Sequence, residues 1–392
     1  MLLPISNVPR DYAWGSTTLL AELEGREPAG GPEAEIWFGD HVGWPSRVED
    51  GSGRTLDVWL AEEGAAAGVP GRLPFLLKLL AAGAPLSIQV HPSRAQAEEG
   101  ADREDAAGIP ADAGHRNYKD RNHKPELVVA LSERFEALAG LRDVSETARL
   151  LAAMGDAPAA RRLARRVAEG EPRGALRVTI GWLLSGEASG EIEALVAEAR
   201  AAAGTDAVRA AGFEGELDLV LRLAEAYPGD PGVVIALLMN RVVLAAGEAL
   251  FVGAGVLHAY VAGLGVELMA ASDNVLRGGL TPKHVDVGQL LRIADTTPAP
   301  PPVLPATPLA PGVDRFDPGI PDFALDRVRV SGSPVRLDLP GPAIVVATRG
   351  AVRVADAGGE RTLRPGRAVL AAGDDAIVLD GDGEAFVAHR GS

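Results

Sequence analysis

The stretch Ala84-Pro-Leu-Ser-Ile-Gln-Val-His91, followed by Pro92, has the alternating pattern of a β-strand. Successive side chains of a strand point to opposite faces, so Ser87, Gln89 and His91 share one face and the apolar residues between them share the other. An amide oxygen and an imidazole nitrogen on one rigid strand suit a divalent metal ion. A half-buried strand with a polar outer face gives the same pattern, so the metal hypothesis depends on ligands elsewhere in the chain.

Length and composition limit the class of protein. At 392 residues the chain is too long for one compact core, which predicts about two or three domains. The absence of cysteine excludes disulfides, thiolate metal sites and cysteine nucleophiles. No apolar run is as long as a transmembrane helix, and no secretory signal is visible at the N-terminus. We therefore expect a cytoplasmic protein with no membrane partner.

The charge of the chain argues against one class of partner and is compatible with another. A formal net charge of −16 argues against nucleic acid and anionic membranes as partners. An anionic small substrate still fits if a local basic pocket exists. Three of the four lysines (Lys78, Lys119, Lys124 and Lys283) lie in stretches that also hold candidate ligands, although chance clustering explains so small a number equally well. For the oligomeric state we expect a monomer or a weak homodimer.

Hydrophobic periodicity divides the chain into β-rich and helical segments. Short strands separated by glycine turns, typical of an antiparallel barrel or jelly roll, are expected in residues 1–142 and 228–295. The apolar run Val233–Met239 is interpreted as one of these strands. Residues 143–227 are rich in Ala, Leu and Arg and predict a helical insertion.

The remaining residues predict a second, smaller β unit. Residues 296–312 are rich in proline and predict a stiff linker. Residues 313–392 alternate again as strands. The expected fold class is mainly β with an α-helical insertion, in which a jelly-roll β-barrel core is followed by a smaller C-terminal β-barrel.

Two further segments carry side chains that suit a metal ion. Glu126 opens an apolar strand, where a carboxylate needs a cation, a metal or hydrogen bonds. His258 lies at a predicted hairpin. With Gln89 and His91 they provide two imidazoles, one carboxylate and one amide oxygen, a set suited to zinc. A solvent-exposed carboxylate at a strand edge is the competing interpretation of Glu126.

Cations and acid–base candidates gather around the same segments. The cations are Lys78, Lys124, Arg277 and Lys283, and the acid–base candidates are His123, Glu267 and Asp273. A metal with several cations in an acidic protein fits an anionic, oxygen-rich substrate such as a sugar phosphate. The chain has no GxxxxGK[ST] loop, so nucleoside triphosphate chemistry has no support.

Most of these residues also have a structural interpretation. Glu267 can support a ligand or an arginine, and Asp273 can cap a turn. His41 is expected to be a hydrogen-bonded structural histidine. The expected surface histidines are His115, His284 and His389.

Six stretches carry long motifs in a fixed order. They are Tyr12-x-Trp14-Gly15, Ala34-Glu35-Ile-Trp37-Phe-Gly39-x-His41, Pro74-Phe-Leu-Leu-Lys78, Leu86-Ser87-Ile-Gln89-Val-His91-Pro92, Asn122-His123-Lys124-Pro125-Glu126 and Ser272-Asp273-Asn274-Val-Leu-Arg277-x-Gly279-Leu280-Thr281-Pro282-Lys283. Together these motifs closely resemble type I mannose-6-phosphate isomerases (phosphomannose isomerases). The resemblance covers residues 1–142 and 228–290, whereas the helical insertion and the C-terminal unit match in layout only.

The resemblance implies a cupin-type fold with one zinc ion per chain. The implied zinc ligands are Gln89, His91, Glu126 and His258, the same set that the ligand chemistry suggests. The implied reaction interconverts mannose 6-phosphate and fructose 6-phosphate, within mannose metabolism and GDP-mannose biosynthesis.

The resemblance also implies roles for the polar residues around the pocket. Arg277 matches the arginine usually assigned as essential. The implied catalytic residues are Arg277, Lys124, His123, Asp273 and Glu267, and the implied substrate contacts are Ser87, Lys78 and Lys283. The departures from the family pattern, such as Phe38 and Gly278 in place of Met and Ala, remove no ligand and no catalytic candidate.

Two other functions remain open from the sequence. An iron-dependent cupin dioxygenase would normally use three histidines and a carboxylate, which Gln89 argues against. A sugar-phosphate-binding cupin without catalysis would not need the whole polar loop between Ser272 and Lys283. Metal analysis and turnover measurements distinguish the three possibilities.

Overall fold

The computed structural model describes residues 1–391 as a mainly β protein with a block of helices. Two ten-stranded sheets, whose strands all pair antiparallel, form the β part. The expected fold class, mainly β with helices inserted, is confirmed. The strand pairing closes neither sheet into a barrel within residues 1–391. None of the helices in this part of the chain has the length and apolar character needed to cross a membrane.

The strands fall into two groups along the chain. The first group is β1 (Leu2–Ser6), β2 (Glu35–Phe38), β3 (Arg47–Val48), β4 (Phe75–Ala82), β5 (Gln89–Val90), β6 (Glu126–Ala130), β7 (Phe135–Leu141), β8 (Met239–Leu244), β9 (Ala249–Val252), β10 (His258–Ala270) and β11 (Leu276–Arg277). The second group is β12 (Val303–Leu304), β13 (Thr307–Ala310), β14 (Val313–Phe316), β15 (Ala324–Ser331), β16 (Val335–Asp338), β17 (Ala343–Asp356), β18 (Gly359–Leu363), β19 (Ala368–Ala371) and β20 (Ala376–His389).

Most helices lie between β7 and β8. The helices are α1 (Leu19–Glu24), α2 (Leu56–Trp59), which continues as a π-helix over Leu60–Gly64, α3 (Arg94–Ala106), α4 (Val144–Ala153), α5 (Pro158–Val167), α6 (Pro172–Leu184), α7 (Ser189–Ala202), α8 (Asp206–Ala211), α9 (Glu214–Ala226), α10 (Gly232–Leu238) and α11 (Val287–Ile293). Helices α4 to α9 fall in the segment expected to be a helical insertion. The domain boundaries themselves stay a prediction.

The first sheet is organised around the long strand β10. Its first half pairs with β5 and β7, and its second half lies between β4 and β6. This register sets His258 opposite Gln89 and Glu267 opposite Lys78. Residues that are distant in sequence therefore become neighbours, because directly opposite residues of an antiparallel pair have adjacent side chains.

The second sheet contains β13 to β20 together with β1 and β3. The N-terminal strand β1 pairs with β19, where Leu3 lies opposite Leu370. Apolar side chains of both sheets, such as Val266 and Phe386, belong to one hydrophobic cluster. Burial of that shared cluster holds the C-terminal sheet against the first sheet. The proline-rich segment 296–312 contributes β12 to the first sheet and β13 to the second.

The interpretation of Val233–Met239 as a strand is wrong, since the segment forms helix α10 over Gly232–Leu238. All seven side chains of this helix are buried, so the run has neither a helical nor an alternating pattern to read. Pro231 stands at the N-cap, where its missing N–H costs no helical hydrogen bond. Asp230 accepts a hydrogen bond from the Gly232 N–H at 2.7 Å and helps to start the helix.

One of the three expected surface histidines is buried. His115 and His284 are exposed, as expected. His389 is only 2% exposed, and its Nε2 lies 3.1 Å from the carboxylate of Asp326. Both residues lie on neighbouring strands, β20 and β15. No local pattern in the sequence predicts a partner for His389, and the cross-strand carboxylate of Asp326 is what makes its burial possible.

The turn after β11 requires glycine at position 279. Gly279 has a φ of +122°, and a Cβ there would lie 2.6 Å from the Gly232 Cα. We expect Gly279→Ala to lower the free energy of unfolding by at least about 2 kcal/mol, because the strained φ and the backbone clash add together. Gly278→Ala is the matched control, since a Cβ at 278 meets only side-chain atoms, of which the nearest belongs to Leu290 at 3.1 Å. Thermal unfolding of both variants is the measurement, and equal midpoints would contradict the prediction.

Candidate metal centre and active site

Three buried side chains converge at one end of the first sheet. His91 directly follows β5, Glu126 begins β6 and His258 begins β10. One ligand atom from each lies within 4.8 Å of the others. Their exposed fractions are 0%, 4% and 2%. Three ligand atoms this close together and this deeply buried could hold a cation.

The hydrogen bonds of the two histidines define which ring nitrogens carry a lone pair. His91 Nδ1 lies 2.8 Å from the carbonyl oxygen of Asn274, and His258 Nδ1 lies 3.0 Å from that of Val256. A carbonyl oxygen only accepts, so both Nδ1 atoms carry the proton. The Nε2 lone pairs then face the Glu126 carboxylate at 3.3 and 3.4 Å.

Nitrogen lone pairs that face an ionised carboxylate are repelled by it unless a cation lies between them. Burial lowers the pKa of His91 to about 4, which keeps its ring neutral. The His91 Nε2 atom is buried without a hydrogen-bond partner in residues 1–391. Burial works to raise the pKa of Glu126, but Lys124, His91 and His258 together outweigh it and lower the pKa, so the carboxylate stays ionised. Two neutral imidazoles and one carboxylate, without thiolates, fit a zinc ion.

Gln89 is adjacent to this group in the sheet. It lies opposite His258 on one side and opposite Arg277 on the other. Its side-chain nitrogen is 3.4 Å from the Ser87 hydroxyl, and its amide oxygen is the atom that a metal would take. The strand predicted over 84–91 is shorter in the structure, where β5 spans Gln89–Val90. Backbone hydrogen bonds continue the pairing before it: the Leu86 N–H donates to Tyr260, and Ile88 donates to Gly279 and accepts from Gly278.

Lys78 and Glu267 form a buried ion pair behind the metal ligands. The Lys78 ammonium lies 2.8 Å from Glu267 and 3.2 Å from Glu35. Burial works to lower the pKa of Lys78, but Glu267, Glu35 and Glu126 outweigh it and raise the pKa. Both partners are less than 7% exposed. The implied roles of Lys78 in substrate binding and of Glu267 in catalysis stay predictions.

Two loops carry the other acid–base candidates, His123 and Asp273, and the Asn274 side chain links these loops by hydrogen bonds. The Asn274 side chain accepts from the Lys119 N–H and donates to the carbonyl oxygens of Asp120 and Asn122. Its own carbonyl holds His91. Asn274 stands in one of the six motifs, but no role was predicted for it, because its burial between two polar loops is visible only in the structure.

The acid–base candidates on these loops are all paired. Lys124 lies 2.8 Å from Glu126. His123 Nε2 is 2.9 Å from the Asp322 carboxylate. Asp273 accepts from His41 at 3.0 Å, and this hydrogen bond lowers the pKa of Asp273.

His41 is hydrogen-bonded, as expected. The Gly43 N–H donates to its Nδ1, so its Nε2 carries the proton that Asp273 accepts.

Three cations near this centre have no carboxylate partner in the part of the chain that the structure describes: Lys119, Arg277 and Lys283. Burial lowers the pKa of Arg277. Burial, Arg277 and Lys119 together lower the pKa of Lys283, so the three charges lie close to one another. Unpaired cations in a protein of net charge −16 indicate an anion site. Lys119 was not predicted as a site residue, although the scarcity of lysine pointed to it.

A cavity of about 240 Å³ adjoins the centre. Lys119, His41 and Asp273 line it, whereas His91, Glu126 and His258 do not. The cavity is therefore a side chamber next to the acid–base loops, not the metal position itself.

The sequence and the structure are similar to those of one enzyme family. A family model described as phosphomannose isomerase type I, catalytic domain, matches residues 2–144. The chain is 36% identical to mannose-6-phosphate isomerase of Escherichia coli (strain K12), over 96% of each chain. It is 32% identical to mannose-6-phosphate isomerase of Homo sapiens, over 90% of this chain and 88% of the human one.

Solved structures match over the full length. The apo form of mannose 6-phosphate isomerase from Salmonella typhimurium superposes with a TM-score of 0.87 at 32% identity, covering 100% of this chain and 99% of that one. A mannose 6-phosphate isomerase bound with zinc and yttrium also gives 0.87 at 32% identity and full coverage of both chains. These matches confirm the cupin-type fold. The chain belongs to the type I mannose-6-phosphate isomerases, a family of aldose–ketose isomerases.

Proposed function

We propose that the chain interconverts D-mannose 6-phosphate and D-fructose 6-phosphate with one zinc ion per chain. The observation that carries the proposal is the convergence of the His91, Glu126 and His258 lone pairs beside three unpaired cations. The activity of the relatives, mannose-6-phosphate isomerases, and the zinc bound in one structural match support it. A role in mannose metabolism, including GDP-mannose biosynthesis, belongs to the same proposal, as does a cytoplasmic location.

We assign four residues to the metal. His91, Glu126 and His258 would hold it, and the amide oxygen of Gln89 completes the set. When bound, zinc acts as a Lewis acid that favours negative charge on the carbonyl and hydroxyl oxygens of the sugar.

The reaction moves two protons by way of a cis-enediol. Open-chain mannose 6-phosphate loses a proton from C2 while O1 gains one; C1 then gains a proton while O2 loses one. Each step needs an acid or a base beside the sugar. His123 and Asp273 take these roles, because their side chains are 20% and 47% exposed and can meet a substrate.

The buried residues are assigned to support. Glu267 and Lys78 hold one another, so their contribution is to fix the floor of the site. Lys124 sits beside the Glu126 carboxylate and stabilises negative charge that develops on the substrate oxygens. Ser87 lies on the wall of the site next to Gln89.

The phosphate is assigned to the cation group. Lys283 and Lys119 are exposed and face the solvent side, where a dianion binds with least desolvation. Arg277 is half-buried and lies next to Gln89 in the ladder, closer to the reacting carbons.

Turnover of mannose 6-phosphate, measured before and after chelation, tests the proposal. We expect activity to fall by at least about a hundredfold on chelation and to return when zinc is added. If activity were lost with chelator but returned with iron and not with zinc, the result would contradict the assignment of zinc. Zinc-loaded protein that binds the sugar phosphate and does not convert it would contradict the isomerase function and favour a binding role.

A further inference from the structure

One carboxylate from the C-terminal β unit, that of Asp322, contacts a residue of the candidate active site. His123 Nε2 lies 2.9 Å from Asp322 Oδ2, across 199 residues of sequence. Asp322 lies between β14 and β15, and its side chain is 7% exposed. The next residue, Phe323, is fully buried in the hydrophobic cluster shared by the two sheets. Because its neighbour Phe323 is anchored in the core, the position of Asp322 is fixed even though it lies between two strands.

A second contact fixes the carboxylate from the other side. Arg94, at the start of α3, has its guanidinium 3.6 Å from Asp322 Oδ1. Helix α3 begins three residues after His91, and its N-cap Ser93 forms a capping box with Gln96. The pKa of Asp322 is lowered because His123 and Arg94 outweigh the opposing effect of burial. Asp322 is thus an ionised carboxylate that contacts both the loop of His123 and the start of α3.

An ionised carboxylate dictates the tautomer of the histidine beside it. A carboxylate only accepts, so His123 Nε2 must carry a proton. His123 Nδ1 is then the ring nitrogen available to a bound sugar. The same contact fixes the orientation of the ring, as carboxylates beside histidines do in metal and catalytic sites.

We propose that Asp322 is a positioning residue for His123, so that the C-terminal sheet completes the isomerase site. This inference rests on the proposed function, in which His123 exchanges a proton with the sugar. The C-terminal β unit thereby has a role in the reaction in addition to its shared core with the first sheet.

The kinetic test compares Asp322→Ala, Asp322→Asn and His123→Asn, singly and combined, in the zinc-loaded protein. We expect Asp322→Ala to lower kcat about 10- to 100-fold with KM changed less than about threefold. Asp322→Asn should lose less, since its amide oxygen can still accept from Nε2. In the His123→Asn background, Asp322→Ala should lower kcat no further, because Asp322 acts only through His123.

Asp326→Asn is the matched control. Asp326 lies in the same sheet and pairs with a buried histidine, His389, away from the metal ligands. We expect this variant to lower the thermal midpoint and to leave kcat unchanged. An equal loss of kcat in Asp322→Ala with and without His123 would overturn the proposal, since it would mean a general structural effect.

The tautomer of His123 can be measured without any turnover. Nitrogen NMR of protein labelled in its seven histidines should show His123 with the proton on Nε2, and a mixture of tautomers in Asp322→Ala. A wild-type His123 with the proton on Nδ1 would overturn the proposal. Failure of the wild type to convert mannose 6-phosphate would count against the proposed function instead, and the NMR result would still decide whether Asp322 orients His123.

Discussion

Replacing Glu126 with Gln is expected to remove the bound metal and to lower turnover of mannose 6-phosphate by at least about a hundredfold. The two carboxylate oxygens of Glu126 lie 3.3 and 3.4 Å from the Nε2 atoms of His91 and His258. The amide of glutamine keeps the shape of the side chain and removes the only negative charge among the ligands. The measurement is the zinc content of the purified variant, together with its kcat/KM after zinc is added.

Glu136→Gln is the control for the loss of a buried carboxylate. Glu136 lies on β7 of the same sheet, is 3% exposed, and pairs with Arg222 at 2.7 Å and Arg241 at 2.6 Å. Its replacement should lower the thermal midpoint and leave zinc content and kcat unchanged. Glu126→Gln with full zinc content and normal turnover would contradict the metal centre. Full zinc content with lost turnover would assign Glu126 to its contact with Lys124 instead.

The candidate metal ligands His91 and Glu126 could be singled out because their signals are local. A histidine that ends a strand before proline, and a carboxylate that opens an apolar strand after proline, are visible in short windows of sequence. The need for a partner was visible too, since a lysine in the strand Phe75–Ala82 cannot be buried alone. The identity of that partner was not visible. Glu267 becomes the partner of Lys78 only through the β4–β10 register, which no local pattern encodes.

Contacts between distant segments account for most of what the sequence did not reveal. The pairing of β1 with β19, and the contact of His123 with Asp322, both join residues that are far apart in the sequence. Helix α10 was missed for a different reason, because a fully buried apolar run has no amphipathic period. Lys119 was missed because its side chain has no strand or helix pattern, and only its proximity to Arg277 and Lys283 indicates a role.

Arg277→Ala is expected to lower kcat about a hundredfold or more, whereas Lys283→Ala is expected to raise KM about tenfold with kcat nearly unchanged. Arg277 lies opposite Gln89, which in turn lies opposite His258. A charge at that position acts on oxygens whose negative charge grows during the reaction. Lys283 is exposed, and a contact with the phosphate is equally strong in the bound substrate and in the transition state. Arg277→Lys should fall between, because it keeps the charge and loses the planar fork.

Steady-state kinetics of the three variants with mannose 6-phosphate decides between the two roles. Arg292→Ala is the control, because Arg292 is an exposed arginine on α11 that pairs with Glu99 and should leave both constants unchanged. If Arg277→Ala raised KM and kept kcat, Arg277 would be a phosphate contact and not a group that stabilises developing charge. If Lys283→Ala instead lowered kcat at constant KM, Lys283 would not be the phosphate contact. Lys119 would then be the next candidate, because it is the other lysine of the unpaired cation group within the described residues. The split between kcat and KM therefore assigns each charge to one end of the substrate: the phosphate, or the carbons that exchange protons.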